Sequence, residues 1–376
     1  MRLPQAEAWV KQRLGSNHLQ MNASDLIRTR LKNQRLTSSE FKKPIDVLHW
    51  FGAMQAQDFN GAKWALAQRM RDATDTDIEK AFNEGNILRT HIMRPTWHFV
   101  APDDIRWLLH LTASRVNQAC GTNYRKLELD DSVFRRSNRA LTRALQKQGY
   151  LTRAALKPII NEAGVLVNDP VRLAHVLIRA ELDGLICSGP KVKNQFTYAL
   201  LEERVRHTKI LQRDESLAKL SLRYFASHGP ATLRDFVWWS GLTLADAKIG
   251  ISLAQRQLTK TVLEDQVYWT ANDVGVAQRR SRSARLLPAF DEYLVAYKDR
   301  KAIIKENHPS GVDNNMLGPS IIIDGKLAGT WKRTTDNQQT TLALKPFVRL
   351  TATEKLAVAK EVERYARFIE MEVRLA

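Results

Sequence analysis

Apolar residues recur at helical spacing in three stretches of the chain, and each stretch ends in two short runs rich in β-formers. The third stretch is the clearest. Ser216 to Ser227 has the spacing of an amphipathic helix, Gly229-Pro230-Ala231-Thr232 breaks and caps, and Leu233 to Gly241 carries Phe236, Val237 and Trp239. Lys260 to Leu263 and Gln266 to Thr270, joined across Glu264-Asp265, read as a hairpin. The second stretch runs from Asn138 through Gly149-Tyr150-Leu151-Thr152, a helix to Glu162, another from Pro170 to Asp183, and strands at Leu185 to Cys187 and Gln195 to Leu200. In the first, Ser24 to Asn33 reads as the opening helix, Thr37 as a cap, Pro44 to Phe51 as the next helix and Thr76 to Asn83 as a further one. Its strands are Leu88 to Met93 and Thr96 to Val100, turning at Arg94-Pro95.

Helix, turn, helix, helix and hairpin in that order is the grammar of a winged helix, although an all-α bundle with short hairpins gives the same order. The irregular spacing of Thr37, Thr152 and Thr232 indicates related units rather than a solenoid. Beyond residue 275, Leu286 to Tyr297, Ser320 to Ile323, Lys326 to Lys332 and Thr340 to Leu344 read as strands, with a hairpin turn at Asp324-Gly325, and Thr353 to Met371 reads as a terminal helix. The expected class is mainly α with β wings (α+β): three tandem winged-helix units, a small β-barrel-like module and a C-terminal helix. The divisions are 1–21, an extension with Met21 as a candidate start; 22–115, 116–205 and 206–275, the three units; and 276–376, a basic linker, the β module and the helix.

Charge narrows the partners. With 58 Lys and Arg against 40 Asp and Glu, the chain carries +18 at neutral pH, which favours polyanions and makes nucleic acid the expected partner. Cys120 and Cys187 form no CxxC pair, which argues against a disulfide framework or a zinc knuckle and for a reducing compartment. No apolar run approaches the roughly 18 to 20 residues that span a bilayer, and the first residues lack an apolar signal core. The expectation is a cytoplasmic, nucleoid-associated monomer that makes no membrane contact.

Several chemistries lack their residues. The nine histidines form no HxxxH pattern, so no metal site is expected, and neither a phosphate loop nor a GxSxG elbow is present. Asp291-Glu292, read as part of a strand, would point to opposite faces, a poor arrangement for one metal. No cofactor is called for.

Four blocks in order carry a more specific signal: Met54-Gln55-Ala56-Gln57-Asp58, Arg94-Pro95-Thr96-Trp97-His98-Phe99-Val100, Leu287-Pro288-Ala289-Phe290-Asp291-Glu292-Tyr293, and Asp324-Gly325 to Gly329-Thr330-Trp331. Together, over residues 22 to 350, they resemble the AlkZ/YcaQ-type winged-helix DNA glycosylases. The resemblance implies three winged-helix units joined to a β-barrel, a basic channel for duplex DNA, and monofunctional excision of N-alkylated purines such as N7-alkylguanine, possible interstrand crosslinks among them. It also implies a Gln-hydrophobic-Gln motif that positions water, matched here by Gln55 and Gln57.

The spacing has its own physics. Residues two apart diverge by about 200° on a helix but share one side of an extended segment, and Gly52 before the motif and Asn60-Gly61 after it favour the extended form. Two amides could then grip one water; as a plain alternative, they are surface amides that support the wing. Asp58 is either an assistant or a helix cap. Arg94, Thr96 and His98 would line a polar channel while Trp97 and Phe99 face the core, with His98 near a phosphate or a water, or else satisfied in the core. Arg89, His91, Lys191, Lys193, Arg279, Arg280 and Arg282 join Arg94, Thr96 and His98 as candidates for DNA contact. Of Trp238 and Trp239, at least one should pack in the core. Two other readings use the same fold and charge: a noncatalytic winged-helix transcriptional regulator, and a structure-selective RNA binder. The first lacks a heptad seam for dimerisation and the second lacks stacking motifs.

Overall fold

The computed structural model describes residues 21–205, 208, 210–271, 283–304, 317–336 and 339–376. Arg279, Arg280, Arg282 and the extension at residues 1–20 lie outside them.

One order of elements recurs three times. The first set comprises α2 (Pro44–Phe51), β1 (Ala53–Gln55), α3 (Phe59–Ala67), α4 (Asp75–Glu84) and the hairpin β2 (Leu88–His91) and β3 (Trp97–Val100), after a leading helix α1 (Ala23–Asn33). A 25-residue helix, α5 (Pro102–Lys126), leads to the second set: α6 (Asp131–Gln148), β4 (Tyr150–Thr152), α7 (Arg153–Glu162), α8 (Pro170–Leu182), β5 (Ile186–Ser188) and β6 (Thr197–Leu200). After a short helix α9 (Leu201–Arg204), the third set has α10 (Arg213–Ser227), α11 (Leu233–Ser240), α12 (Leu244–Ala254) and the hairpin β7 (Leu258–Leu263) and β8 (Gln266–Ala271). In the first two sets the short strand after the opening helix joins the hairpin as a third strand, in the orders β1-β3-β2 and β4-β6-β5. In the third set a bridge between Ala231 and Trp269 takes that place.

This order corrects the reading of the first set by one element. Its opening helix is α2, not α1, and Phe59–Ala67, to which the sequence reading assigned no element, is a helix capped by Asp58, whose side chain accepts from Gly61 N. Thr37 caps nothing. Asp58 occupies the place that Thr152 and Thr232 hold in the other sets. The reason is tertiary: Gly61 on an apolar face looks like a breaker, but the burial of Phe59, Ala62, Trp64 and Leu66 outweighs the roughly 1 kcal/mol that glycine costs a helix. The expected boundary at 115/116 falls inside α5.

The C-terminal strands form one five-stranded sheet in the order β13-β12-β11-β10-β9, built from β9 (Ala284–Leu287), β10 (Ser320–Ile323), β11 (Lys326–Thr335), β12 (Thr340–Pro346) and β13 (Val373–Leu375). The expected strand Leu286 to Tyr297 stops at Leu287. Asp291 then caps a one-turn helix, α13 (Glu292–Val295), because its carboxylate accepts from Tyr293 N. The terminal helix α14 (Ala352–Ile369) packs Tyr365 and Phe368 against Trp64 of α3.

Three buried clusters divide the core. One joins the second and third sets through α5, a second joins the first set to the C-terminal sheet and α14, and a third places α1 against α13, β10 and β11. Between them sits a fully buried ion pair in which Arg69 donates from both Nη atoms to Asp291 at 2.8 Å. Asp291→Ala would leave Arg69 buried without its counter-charge, so it should cost about 3–5 kcal/mol, whereas Arg69→Met with Asp291→Leu should cost less than either single change. Urea unfolding of the three variants checks this; a double mutant no better than the singles would count against the pair as an isolated electrostatic unit.

Candidate active site

The chain enters the site through Gly52, which closes α2 with a φ of +84°, a conformation that strains other residues. It leaves at the Asp58 cap. Between them β1 pairs with β3 so that Gln55 lies opposite His98, and the segment stays extended through Ala56, whose N donates to Trp97 O at 2.7 Å. Ala56 is fully buried. By alternation Gln55 and Gln57 therefore take the other side, half-buried and exposed respectively.

Each glutamine is held by its carbonyl. Gln55 Oε1 accepts from Arg94 Nη2 at 3.3 Å and Gln57 Oε1 from Trp97 N at 3.3 Å, long bonds that leave a lone pair on each oxygen. Neither side-chain NH2 has a hydrogen-bond partner among the described residues. Arg89 clamps the backbone beneath, donating from Nε to Ala56 O at 2.9 Å and from Nη2 to Gln57 O at 3.2 Å.

Glu292 is the residue that the sequence reading left out of the site. Its Oε1 accepts from Gln55 N at 2.7 Å, while Oε2 accepts from Trp239 Nε1 at 2.8 Å and His228 Nε2 at 3.3 Å. Burial raises its pKa, but the hydrogen bond and charge of His228, the charge of Arg94 and the Gln55 N–H outweigh it and hold the carboxyl at about 2. A buried anion thus sits directly under the first glutamine. The signal was present in an apolar block, Leu287 to Tyr297, interrupted by two acids: buried carboxylates must be paired, so their partners are structural by necessity.

His98 is wholly buried, against the expectation that it lines a channel beside Arg94 and Thr96. β3 is the middle strand of its sheet, so both of its edges are paired; His98, Phe99 and Val100 are all inside, and Trp97, expected in the core, is half-exposed. His98 Nδ1 donates to Thr96 O at 2.8 Å, which leaves Nε2 to accept from Arg94 Nη2 at 3.3 Å. Burial and the Arg94 charge push its pKa down to about 3, so it is neutral when it receives that hydrogen bond. Of the two tryptophans, Trp239 is in the core and Trp238 is exposed.

The other candidates for DNA contact separate by burial. Arg89 and His91 are inside, the latter bonded through Nδ1 to Glu181, so neither reaches a phosphate on the surface. Thr96 Oγ1 is buried without a hydrogen-bond partner among the described residues. Lys191 Nζ pairs with Glu79 at 2.8 Å, and Lys193 stands exposed in the turn before β6. Among the described residues one group has the geometry of metal ligands, His49 with Asp103 and Asp104; Asp104 is already bonded to Lys219 and Arg223. No helix among the described residues is long and apolar enough to cross a membrane.

The neutral state of His98 has a measurable consequence. An unfolded histidine takes a proton near 6.5, the folded one only near 3, so between these values the unfolded chain binds the extra proton and stability rises with pH. His98→Gln should reduce that slope by up to about 1.4 kcal/mol per pH unit between pH 6 and 4. Urea unfolding at a series of pH values tests this, and an unchanged slope would place His98 in a solvated setting.

The chain is 23% identical over 362 residues to an interstrand DNA cross-link repair glycosylase of Streptomyces sahachiroi, an alignment that spans 90% of this chain and 94% of that protein. The solved structure of Streptomyces sahachiroi DNA glycosylase AlkZ matches with a TM-score of 0.78 at 21% identity, over 95% of this chain and 100% of the other, which shows a common fold. The model of the family described as DNA glycosylase AlkZ-like matches residues 48–368, which include the glutamines, His98, Asp291 and Glu292: the chain belongs to the AlkZ-like DNA glycosylase family.

Proposed function

We propose that the protein is a monofunctional DNA glycosylase that hydrolyses the N-glycosidic bond of cationic N-alkylated purines, N7-alkylguanine and interstrand crosslinks built on it included. Family membership favours an enzyme over the noncatalytic regulator. The observation that carries the mechanism is the extended Gln55-Ala56-Gln57 segment, whose buried alanine leaves two amides with free NH2 groups on one open side.

A water held between the amides attacks C1′. The C1′–N9 bond breaks with its electron pair going to the purine, which the alkyl group has already made cationic, and the base leaves neutral. The water loses one proton to solvent and the sugar keeps the hydroxyl. Amides are feeble bases, but a leaving group of this kind needs no strong one and no Lewis acid, which is why the reaction proceeds without metal. Glu292 acts through Gln55 as a positioning residue, and its charge favours the developing oxocarbenium-like sugar. Asp58 is committed to capping α3. The three repeated sets are winged-helix units that, with the barrel-like C-terminal module, hold duplex DNA as a monomer. Lys193 and Arg94 are its contacts from the described residues, joined by Arg279, Arg280 and Arg282.

Purified protein should release N7-methylguanine from duplex DNA in the presence of EDTA and leave an abasic site that breaks only with heat or alkali. Prompt strand scission, or loss of activity with EDTA, would contradict the mechanism. Gln55→Ala or Gln57→Ala should each lower the single-turnover rate about 10²-fold, equivalent to about 2.7 kcal/mol, with a non-additive double mutant and little change in DNA affinity. Wild-type rates in the double mutant would remove the glutamines from the mechanism. Affinity for undamaged duplex should fall steeply with salt and depend little on sequence, and a tight salt-insensitive site would instead indicate a regulator.

A further inference from the structure

A cavity of about 530 Å³ borders the residues that hold Gln57. Arg89 and Trp97, which bond to the carbonyl oxygens of Gln57, line it together with Phe196, Tyr198 and Glu181. It lies within the range of small-molecule sites, roughly 300–1,000 Å³.

The lining combines flat apolar surface with three kinds of polar tip. The Arg89 guanidinium lies 4.2 Å from the Trp97 ring centre and 5.0 Å from that of Phe196. Two of its three nitrogens are used on the glutamine segment, and Nη1 has no hydrogen-bond partner among the described residues. The Glu181 side chain is 2% exposed, yet only Oε2 is engaged, by His91; Oε1 is free among the described residues. The Tyr198 hydroxyl is likewise free, and burial, reinforced by Glu181, raises its pKa, so it keeps its proton and can donate. A buried carboxylate with an unused acceptor is costly unless a donor meets it, so the cavity is made for a ligand with N–H groups.

We propose that this cavity receives a purine of the guanine type turned out of the DNA stack, its N–H edge on Glu181, its carbonyl on Arg89 and its ring against Trp97. The proposal rests on the glycosylase reading and adds the place of the base while C1′ is held at the glutamines. A guanine offers both donors and a carbonyl acceptor, whereas an adenine has no carbonyl for Arg89. Enzymes acting on a base commonly read its Watson–Crick edge in such a pocket.

Binding of free 7-methylguanine, followed by titration calorimetry on the full chain, tests the pocket without relying on catalysis. Wild type should bind it at least tenfold more tightly than free adenine. Glu181→Gln and Tyr198→Phe should each weaken it about tenfold, and Ala154→Trp, placed at the exposed rim, should abolish it without disturbing the core. Circular dichroism confirms folding, and because Ala154→Trp removes no interior contact it remains informative if Glu181→Gln unfolds. Absence of wild-type binding, or binding indifferent to Ala154→Trp, overturns the proposal. Single-turnover excision from N7-methylguanine duplex by wild type reports on the glycosylase reading separately: excision by wild type and by Ala154→Trp at the same rate sinks the pocket alone, while base binding without excision sinks the reaction and keeps the pocket.

Discussion

Two adjacent acids, Asp291 and Glu292, are the constraint on which the rest of the arrangement depends. A carboxylate taken out of water must find donors or remain protonated. Asp291 finds both nitrogens of Arg69, just beyond α3, and Glu292 finds Gln55 N, His228 and Trp239. The partners come from the first set of elements and from the third, which are far apart in sequence. One short turn of the C-terminal module therefore fixes the position of both, and it does so where the candidate water site begins. α1 strengthens the same junction: Arg30 and Asn33 donate to the carbonyls of Pro230 and Gly229, and Gln34 reaches Glu292 O and Tyr297.

The site itself is small because little is asked of it. Two amides held by long hydrogen bonds can orient a water but cannot strip it of a proton. Under the proposed reading, such a pair suits substrates whose leaving group is already activated, and specificity then lies in chemistry as much as in shape. Neutral His98 fits this economy. Were it charged, it would repel Arg94, and Arg94 would lose both its acceptor and its hold on Gln55.

How far this was readable from the sequence depended on whether the deciding force was local. The third set was legible because Gly229-Pro230-Ala231-Thr232 punctuates it strongly, and the C-terminal hairpin because Asp324-Gly325 is a turn with few alternatives. The extended glutamine segment was legible from its flanking glycines. α3 was not, since Gly61 hides a helix that only tertiary burial of Trp64 explains. Nor was the burial of Arg89, His91 and His98: their type suggests a phosphate, and nothing local reveals that β1 covers one edge of β3 or that Glu181 approaches from the second set. Glu292 escaped for a related reason. Adjacent acids on a strand diverge, but at the start of a helix they point to different partners in one junction.

These buried cations alter the meaning of the net charge. Arg69, Arg89 and Lys63 are spent on carboxylates, carbonyls or rings within the fold, so they stabilise the molecule and give little field outside it. The external field must come from the remaining excess, carried among the described residues by exposed side chains such as Lys193. A field of that kind attracts any duplex and reads no bases. Under the proposed function, discrimination then falls to the steps after DNA arrives, where an activated glycosidic bond meets the two glutamines. In that reading the cations the core consumes stabilise the fold, and the diffuse charge that remains outside serves binding alone.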